Sequence, residues 1–309
     1  MSQTISLFDL HCDTPLELFR GTKKLQSNDL HVSIEKASVF DRYVQCSAVW
    51  SDKRLTDSQC FQEFSAASTY FCSEACDMIV SSRESLENAK KAAFIPAVED
   101  ARLLCENINN LDILYGCGIR ILTLLWAGIS SLGAAWNAEG SLTDFGKEVL
   151  ERCYDIGIIP DLSHANDTVC SYAAERSIVR KKPVIATHSN SRAVHRHMRN
   201  LPDCIAREIA LSGGIIGVSL YPPHLRGETA DIFDITDHIE HYVSTVGSDS
   251  VCLGCDFDGI DKTPLGISDI SDMPKLHDAL SKRLGSHLCE KVFFNNAYNF
   301  FVNNLPKER

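Results

Sequence analysis

The chain has 309 residues, of which 44% are hydrophobic and 23% are charged, a composition typical of a globular protein with a large apolar core. Its formal net charge of −11 argues against nucleic-acid and anionic-membrane partners, because both bind basic surfaces. No secretory signal and no apolar run of the roughly 20 residues that span a bilayer are visible, so we expect a cytoplasmic protein whose thirteen cysteines are reduced thiols.

The first predicted element is a buried strand over residues 5–10, which ends on the motif His11-x-Asp13. Residues two apart in an extended chain point to the same side. The imidazole and the carboxylate therefore converge, as the ligands of a divalent metal do. A hydrogen-bonded turn between the two side chains is the alternative, and this short motif alone does not exclude it.

Seven further apolar, β-prone runs follow, which makes eight predicted strands. They cover residues 5–10, 43–49, 92–98, 120–125, 158–162, 183–187, 215–220 and 251–255. Helical patterns fill the intervals between them. The clearest helix starts after Thr143 as N-cap and stops at Gly157, and a second is opened by Pro202 and Asp203.

Strands that alternate with helices indicate parallel pairing, and eight such units predict an α/β fold that closes into a (β/α)8 TIM-type barrel. An open, doubly wound sheet is the alternative. Because no linker or low-complexity segment divides the sequence, we expect residues 1–309 to form one domain. Helices over about 272–309 are expected to pack on the barrel.

Five of the predicted strands lead directly into a histidine or a carboxylate. These residues are His11 with Asp13, Glu99, His164, His188 and Asp256. Chemistry in a barrel of this type takes place at the carboxyl ends of the strands. Three strands that lead into a histidine are more than chance provides in a chain with only 11 histidines, so the set predicts a metal site.

Imidazole and carboxylate ligands without thiolates suit Zn²⁺, or alternatively Mn²⁺. Five ligands exceed the needs of one tetrahedral ion with an open position, but they suit two ions about 3.5–4 Å apart. Glu99 is the expected bridging carboxylate. Such a pair provides a bridging hydroxide at neutral pH, and Asp256 remains available to shuttle the proton.

These residues and their neighbours form the segments "HCD", "AVED", "DLSH", "ATHSNSR", "RNLPD" and "GCDFDGI". Together they resemble the membrane dipeptidase (renal dipeptidase) family of zinc peptidases, over residues 8–301. The resemblance implies an amidohydrolase-like barrel. It also implies that His11 and Asp13 hold one zinc, that Glu99 bridges, that His164 and His188 hold the second, and that Asp256 handles the proton.

The resemblance further implies a substrate-binding role for Arg199, whose guanidinium has the right shape to hold a substrate carboxylate. Asn200, Tyr221 and Trp126 are assigned to the same pocket. The chain departs from the family pattern in two places. It has "EDAR" where well-studied members have Glu-Gly-Gly-His, and it has Trp126 where they have a histidine that stabilises the oxyanion.

The leading prediction is therefore a zinc-dependent dipeptidase, a hydrolase of dipeptides that include those with a D-residue at the C-terminal position. An amidohydrolase-like enzyme that acts on another small amide is the alternative, because Trp126 removes an expected oxyanion donor. A catalytically silent binding module is the alternative from another class. The expected partner is a dipeptide substrate, and we expect a homodimer.

Overall fold

A computed structural model describes residues 5–308 of the chain. Its strands are β1 (Leu7–Cys12), β2 (Tyr43–Trp50), β3 (Ala92–Glu99), β4 (Ile121–Thr123), β5 (Ile159–Asp161), β6 (Ile216–Val218) and β7 (Val251–Leu253). They form one sheet in the order β5-β4-β3-β2-β1-β7-β6. All pairings are parallel, so the fold is α/β, as predicted.

Helices lie in the crossover connections between the parallel strands, and the last three helices follow the final strand. They are α1 (Thr14–Gly21), α2 (Asp57–Ala75), α3 (Arg83–Glu87), α4 (Asn109–Gly116), α5 (Asp144–Ile156), α6 (Asp167–Arg180), α7 (Asp203–Leu211), α8 (Pro222–Leu225), α9 (Ile232–Val246), α10 (Met273–Leu284), α11 (Ser286–Glu290) and α12 (Asn296–Asn304). None of these helices is both long and apolar enough to cross a bilayer.

The two clearest helix predictions are confirmed. The hydroxyl of Thr143 accepts from the backbone N–H of Gly146 at the start of α5, and Gly157 ends that helix at a φ of 87°. Helix α7 begins directly after Pro202. The predicted C-terminal helices correspond to α10, α11 and α12, except that the last predicted residue, Arg309, lies outside the described residues.

The prediction of a strand over residues 183–187 is wrong. Only Ile185 and Ala186 form single parallel bridges, one to the end of β5 and one to the start of β6. The ladder stops there because the next two backbone N–H groups donate to side chains. Thr187 donates to Asp161 Oδ1, and His188 donates to the Ser163 hydroxyl. The segment thus lies between β5 and β6 without being a strand.

Apolar side chains of β1 pack on both sides of the sheet, Leu7 and Cys12 in one hydrophobic cluster and Phe8 and Leu10 in the other. Phe8 belongs to a hydrophobic cluster with the C-terminal helices, where its ring stacks on Phe301 at a centroid distance of 5.1 Å. The register of β1 against β2 is irregular between Asp9 and Cys12, so the regular alternation of side chains is interrupted where His11 lies. Asp9 and His11 are 0% and 2% exposed. Strand β1 therefore holds both side chains buried at its carboxyl end.

Candidate metal centre and active site

The five predicted metal ligands lie together at the carboxyl ends of the strands. Glu99 Oε1 is 2.9 Å from His164 Nε2 and 3.3 Å from His188 Nε2. The same oxygen is 3.8 Å from His11 Nε2, which is 3.4 Å from Asp13 Oδ2. One carboxylate thus approaches three imidazoles, which is the geometry expected of a ligand shared by two ions.

The backbone is strained where it delivers two of these side chains. His164 follows β5 with a φ of 68°, and Asp256 follows β7 with a φ of 65°. Non-glycine residues rarely adopt this left-handed region, and each such residue costs on the order of 1–3 kcal/mol. Strain of this kind is common at functional sites, and here it occurs at two of the candidate site residues.

The outer nitrogens of two histidines are already engaged. His164 Nδ1 donates to the carbonyl of Trp126 at 3.1 Å, and His188 Nδ1 lies 2.8 Å from the Thr187 hydroxyl. Metal-ligating histidines almost always use the second ring nitrogen in this way. In both residues Nε2 faces the cluster, so both are oriented as ligands.

The donor set fits divalent metal ions. Buried polar atoms normally have a hydrogen-bond partner, yet His11 Nε2 and Asp13 Oδ1 have none. Three overlapping trios have ligand atoms within 4.8 Å of one another. They are His11–Asp13–Glu99, Glu99–His164–His188 and His11–His188–Asp256.

The charges of the cluster are also unbalanced in a way that cations would correct. Burial raises the pKa of Glu99 well above its usual range, and the neighbouring Asp13 raises it further. Burial lowers the pKa of His164 and His188 well below the usual value. Burial opposes the charge on His11 too, but the carboxylates, Glu99 foremost, outweigh it and raise its pKa to about 10. Metal ligands are ionised carboxylates and neutral imidazoles, so bound cations would shift Glu99 and His11 towards their deprotonated forms.

Asp256 occupies a position that permits two roles. Its Oδ1 lies 3.9 Å from His11 Nε2, which places it among possible ligands. Burial raises the pKa of Asp256 to about 7, and a carboxyl group with such a pKa can exchange protons near neutral pH. The prediction that it handles the proton therefore stays open to test.

Gly259 packs against two of these carboxylates. A Cβ at this exposed position would lie 2.1 Å from Asp13 Oδ2 and 2.6 Å from Asp256 Oδ1. We expect Gly259→Ala to weaken divalent-metal binding, probed with Zn²⁺, by about 10- to 100-fold, the range for disturbed outer-shell contacts, while thermal unfolding of the metal-free protein changes little. Gly116→Ala is the control, because a Cβ there meets nothing within 4 Å. Equal zinc affinities of the two variants, measured by chelator competition, would contradict this expectation.

A cavity of about 450 Å³ opens onto the cluster. Its lining includes Glu99, His164, Arg199, Tyr221 and Asp256. Arg199 is only 4% exposed, and its guanidinium donates to the Ser189 hydroxyl and to the carbonyl of His188, both at 2.9 Å. Its Nε has no partner. A buried cation that is held by neutral acceptors is well placed to bind an anion.

The remaining predicted substrate residues have different positions. Trp126 and Tyr221 line the cavity, and the ring of Trp126 packs on Trp50 at a centroid distance of 4.8 Å. Asn200 is not among the lining residues. Its amide donates to the carbonyls of His195 and His224 at 2.9 and 2.8 Å, so it joins the loop that contains His195 to helix α8 beside the cavity.

Several lining residues were not identified from the sequence. They are Leu16, Glu17, Trp50, Ala127, Trp136, His224, Asp258, Gly259, Ile260 and Asp261. Trp50 ends β2 opposite Glu99. It directly follows the predicted second strand, so the argument from strand ends could have identified it. His224 does not follow a predicted strand directly. It lies on the short helix α8, so its place in the cavity could not be predicted from a strand end.

A larger cavity, of about 720 Å³, lies at the opposite ends of β4 and β5. Its lining includes Arg120 and Lys182. Arg120 donates to the carbonyls of Ser81, Tyr115 and Ile119, which places its guanidinium at the C-terminal end of α4. Size alone would favour this cavity, but the smaller one contains the cluster of ligand side chains and is therefore the candidate active site.

Comparisons with known proteins identify the family. The sequence model of the family described as membrane dipeptidase (peptidase family M19) matches residues 1–302. Dipeptidase 3 of Homo sapiens is 32% identical over 214 residues, which cover 66% of this chain and 43% of the human protein. Dipeptidase 3 of Rattus norvegicus is 30% identical over 303 residues, which cover 90% of this chain and 60% of the rat protein. The chain thus spans about half the length of the curated relatives it matches.

A solved structure supports the fold. It is a metallo peptidase from Rhodobacter sphaeroides liganded with a phosphinate mimic of the dipeptide L-Ala-D-Ala. It superposes with a TM-score of 0.89 at 21% sequence identity, covering 98% of this chain and 100% of that chain.

Proposed function

The chain belongs to the membrane dipeptidase family (peptidase family M19), and from this premise we propose that it is a metal-dependent dipeptidase. The observation that carries the proposal is the set of His and carboxylate side chains around Glu99, whose ligand atoms lie within 4.8 Å of one another in overlapping trios. They face a cavity that also contains the buried cation Arg199.

In this proposal His11 and Asp13 would hold one divalent ion, His164 and His188 would hold a second, and Glu99 would contribute to both sites. Zn²⁺ suits these ligands best. When bound, the ions supply Lewis-acid polarisation of the scissile carbonyl and a water of lowered pKa. The chain's own contribution is to fix these side chains at the strand ends, where His11 and Glu99 are 2% and 4% exposed.

Asp256 accepts the proton of the attacking water and donates it to the leaving amine. Its carboxyl group lines the cavity beside His11, within reach of both the cluster and a bound substrate. Burial raises its pKa to about 7, so the group can change protonation state during turnover at neutral pH.

Arg199 binds the C-terminal carboxylate of the substrate. A carboxylate held at a fixed distance from the metal cluster restricts cleavage to short peptides, because a longer chain places its carboxylate elsewhere. The dipeptide mimic bound to the Rhodobacter sphaeroides protein supports a substrate of this size. The same mimic supports the inclusion of substrates with a D-residue at the C-terminal position.

The proposal is tested by metal analysis together with hydrolysis assays. Purified protein reconstituted with zinc is expected to hold close to two ions per chain and to cleave dipeptides from a panel of L,L and L,D compounds. Wild-type protein that binds two ions but cleaves no dipeptide would overturn the dipeptidase assignment. N-acyl amino acids, β-lactams and cyclic amides belong in the same panel, because the wall of Trp50 and Trp126 favours a bulky amide substrate as the second candidate.

Arg199→Lys tests the carboxylate contact. The variant keeps a positive charge but loses the planar fork that binds a carboxylate bidentately. A charged hydrogen bond contributes about 1.5–3 kcal/mol, so we expect KM to rise about 10- to 100-fold with a smaller change in kcat. The rise should be absent for a dipeptide whose C-terminus is amidated.

Arg192→Lys is the matched control for this variant, because Arg192 lies in the same segment but pairs with Asp167 at 2.6 and 2.8 Å. A KM for the free dipeptide that is the same in both variants would count against the assignment of Arg199.

The fold around this site is inferred to be a closed barrel. The single bridges of Ile185 and Ala186 join the outer strands β5 and β6, which supports residues 183–187 as the eighth element of a (β/α)8 ring.

A further inference from the structure

We infer that Asp161 and Thr187 form a positioning relay that fixes the tautomer of His188. The inference rests on the proposed function, because it treats His188 as a metal ligand. Neither residue lines the cavity, so both act through His188 and neither touches the substrate.

The carboxylate of Asp161 is the fixed end of the relay. Asp161 is 0% exposed. Its Oδ1 accepts from the backbone N–H groups of Ser163 and Thr187 at 3.0 and 2.8 Å. Its Oδ2 accepts from the hydroxyls of Thr123 and Thr187 at 2.6 and 2.7 Å. Four donors therefore hold a carboxylate in one orientation, at the end of β5.

The hydroxyl of Thr187 contacts both Asp161 and His188. A hydroxyl has one hydrogen, and a carboxylate only accepts hydrogen bonds. Thr187 donates its hydrogen to Asp161 Oδ2 at 2.7 Å rather than to the Ser163 hydroxyl at 3.3 Å, which leaves its lone pairs for other partners. His188 Nδ1 lies 2.8 Å from this oxygen, so it must be the donor. The hydrogen of the neutral imidazole is then on Nδ1, and the lone pair is on Nε2.

This tautomer is the one that the cluster needs. His188 Nε2 lies 3.3 Å from Glu99 Oε1 and 2.9 Å from His164 Nε2. A hydrogen on Nε2 would occupy the position that a metal ion takes between these groups. The same hydroxyl lies 3.5 Å from His11 Nδ1, which is at the outer limit of a hydrogen bond, so the argument depends on His188.

Two glycines allow Thr187 to occupy its position. A Cβ on Gly217 would lie 2.0 Å from the Thr187 carbonyl oxygen, and one on Gly254 would lie 1.6 Å from it. The backbone of Thr187 is therefore pressed against β6 and the exit of β7, where neither neighbour has room for a side chain. The hydroxyl is held in place from the backbone side as well as by Asp161.

The test compares Thr187→Val, which removes the hydroxyl and keeps the β-branched shape, with Thr187→Ser, which keeps the hydroxyl. Thr236→Val is the matched control. Thr236 is 0% exposed, and its hydroxyl donates to the Phe233 carbonyl and accepts from Arg283 within and beside α9. Zinc affinity is measured by competition with a chromophoric chelator, and ligand geometry by the visible spectrum of the cobalt-substituted protein.

Thr187→Val is expected to lower zinc affinity by about 10- to 100-fold, the effect typical of lost outer-shell partners, and to change the cobalt spectrum. Thr187→Ser should restore both properties. Thr236→Val should leave both at the wild-type level, although its metal-free form loses a comparable amount of thermal stability. Wild-type affinity and an unchanged spectrum in Thr187→Val would overturn the relay.

Asp161→Asn is the second variant, in case Thr187→Val does not fold. Its amide can donate to Thr187, whose hydroxyl would then donate to His188 Nδ1 and place the hydrogen on Nε2. Zinc affinity is expected to fall here as well, and an unchanged affinity would contradict the relay. Wild-type protein that binds zinc but cleaves no dipeptide would overturn the proposed function and leave the relay standing. Wild-type protein that binds no zinc would overturn both.

Discussion

Glu99→Gln is expected to abolish the stable binding of two metal ions and to reduce kcat/KM for dipeptides by about 10³-fold or more. Glu99 Oε1 lies within 4 Å of a ring nitrogen of each of His11, His164 and His188. Glutamine keeps the shape of the side chain but removes the charge that two cations share. Metal ions supply several kcal/mol of transition-state stabilisation, and about 1.4 kcal/mol corresponds to a factor of ten in rate.

Glu99→Gln should lose metal binding and activity, but it should increase the thermal stability of the metal-free protein. Burial raises the pKa of Glu99, which means that the folded protein disfavours its charged form. An uncharged glutamine removes this cost, so metal-free Glu99→Gln should unfold at a higher temperature than metal-free wild type. Added zinc should stabilise the wild type and have little effect on the variant.

Glu17→Gln provides the matched control for this experiment. It makes the same chemical change in the lining of the same cavity, outside the trios of candidate ligands. Its metal content should equal that of the wild type. A Glu99→Gln protein that still holds two ions would show that Glu99 is not the shared ligand, and the two-metal arrangement would have to be abandoned.

The sequence was sufficient to predict that the candidate ligands lie close together, because the carboxyl ends of parallel strands are all at the same edge of the sheet. His11 and Glu99 could be placed together without knowledge of any contact, since each directly ends a β-prone run. The same logic extends to Trp50, which ends β2 opposite Glu99 and was not identified. The argument from strand ends was applied to charged residues and should also have been applied to this aromatic residue.

Two other features of the structure depend on contacts that cannot be predicted from hydrophobic periodicity in the sequence. The segment 183–187 has the composition of a strand, but the side chains of Asp161 and Ser163 capture the N–H groups of Thr187 and His188. These partners are 26 and 25 residues apart in the sequence. His224 lines the cavity from a one-turn helix. Such a short helix has no repeating sequence pattern from which the direction of a side chain could be predicted.

Asp256 can act either as a metal ligand or as a proton carrier, and its substitution distinguishes the two roles. Asp256→Asn is expected to retain both metal ions and to lose about 10²- to 10⁴-fold in kcat, the contribution of a general acid–base group. KM should change little, because Arg199 and the metal cluster remain. Metal content and steady-state kinetics on one preparation measure both quantities.

Asp261→Asn is the control, since Asp261 is an exposed carboxylate on the same loop and in the lining of the same cavity, and it should keep both metal and kcat. If Asp256→Asn instead loses one ion, Asp256 is a ligand in the trio with His11 and His188. The proton would then have to be carried by another group in the cavity. The distance of 3.9 Å between Asp256 Oδ1 and His11 Nε2 allows both arrangements, so metal content decides between them before any rate is measured.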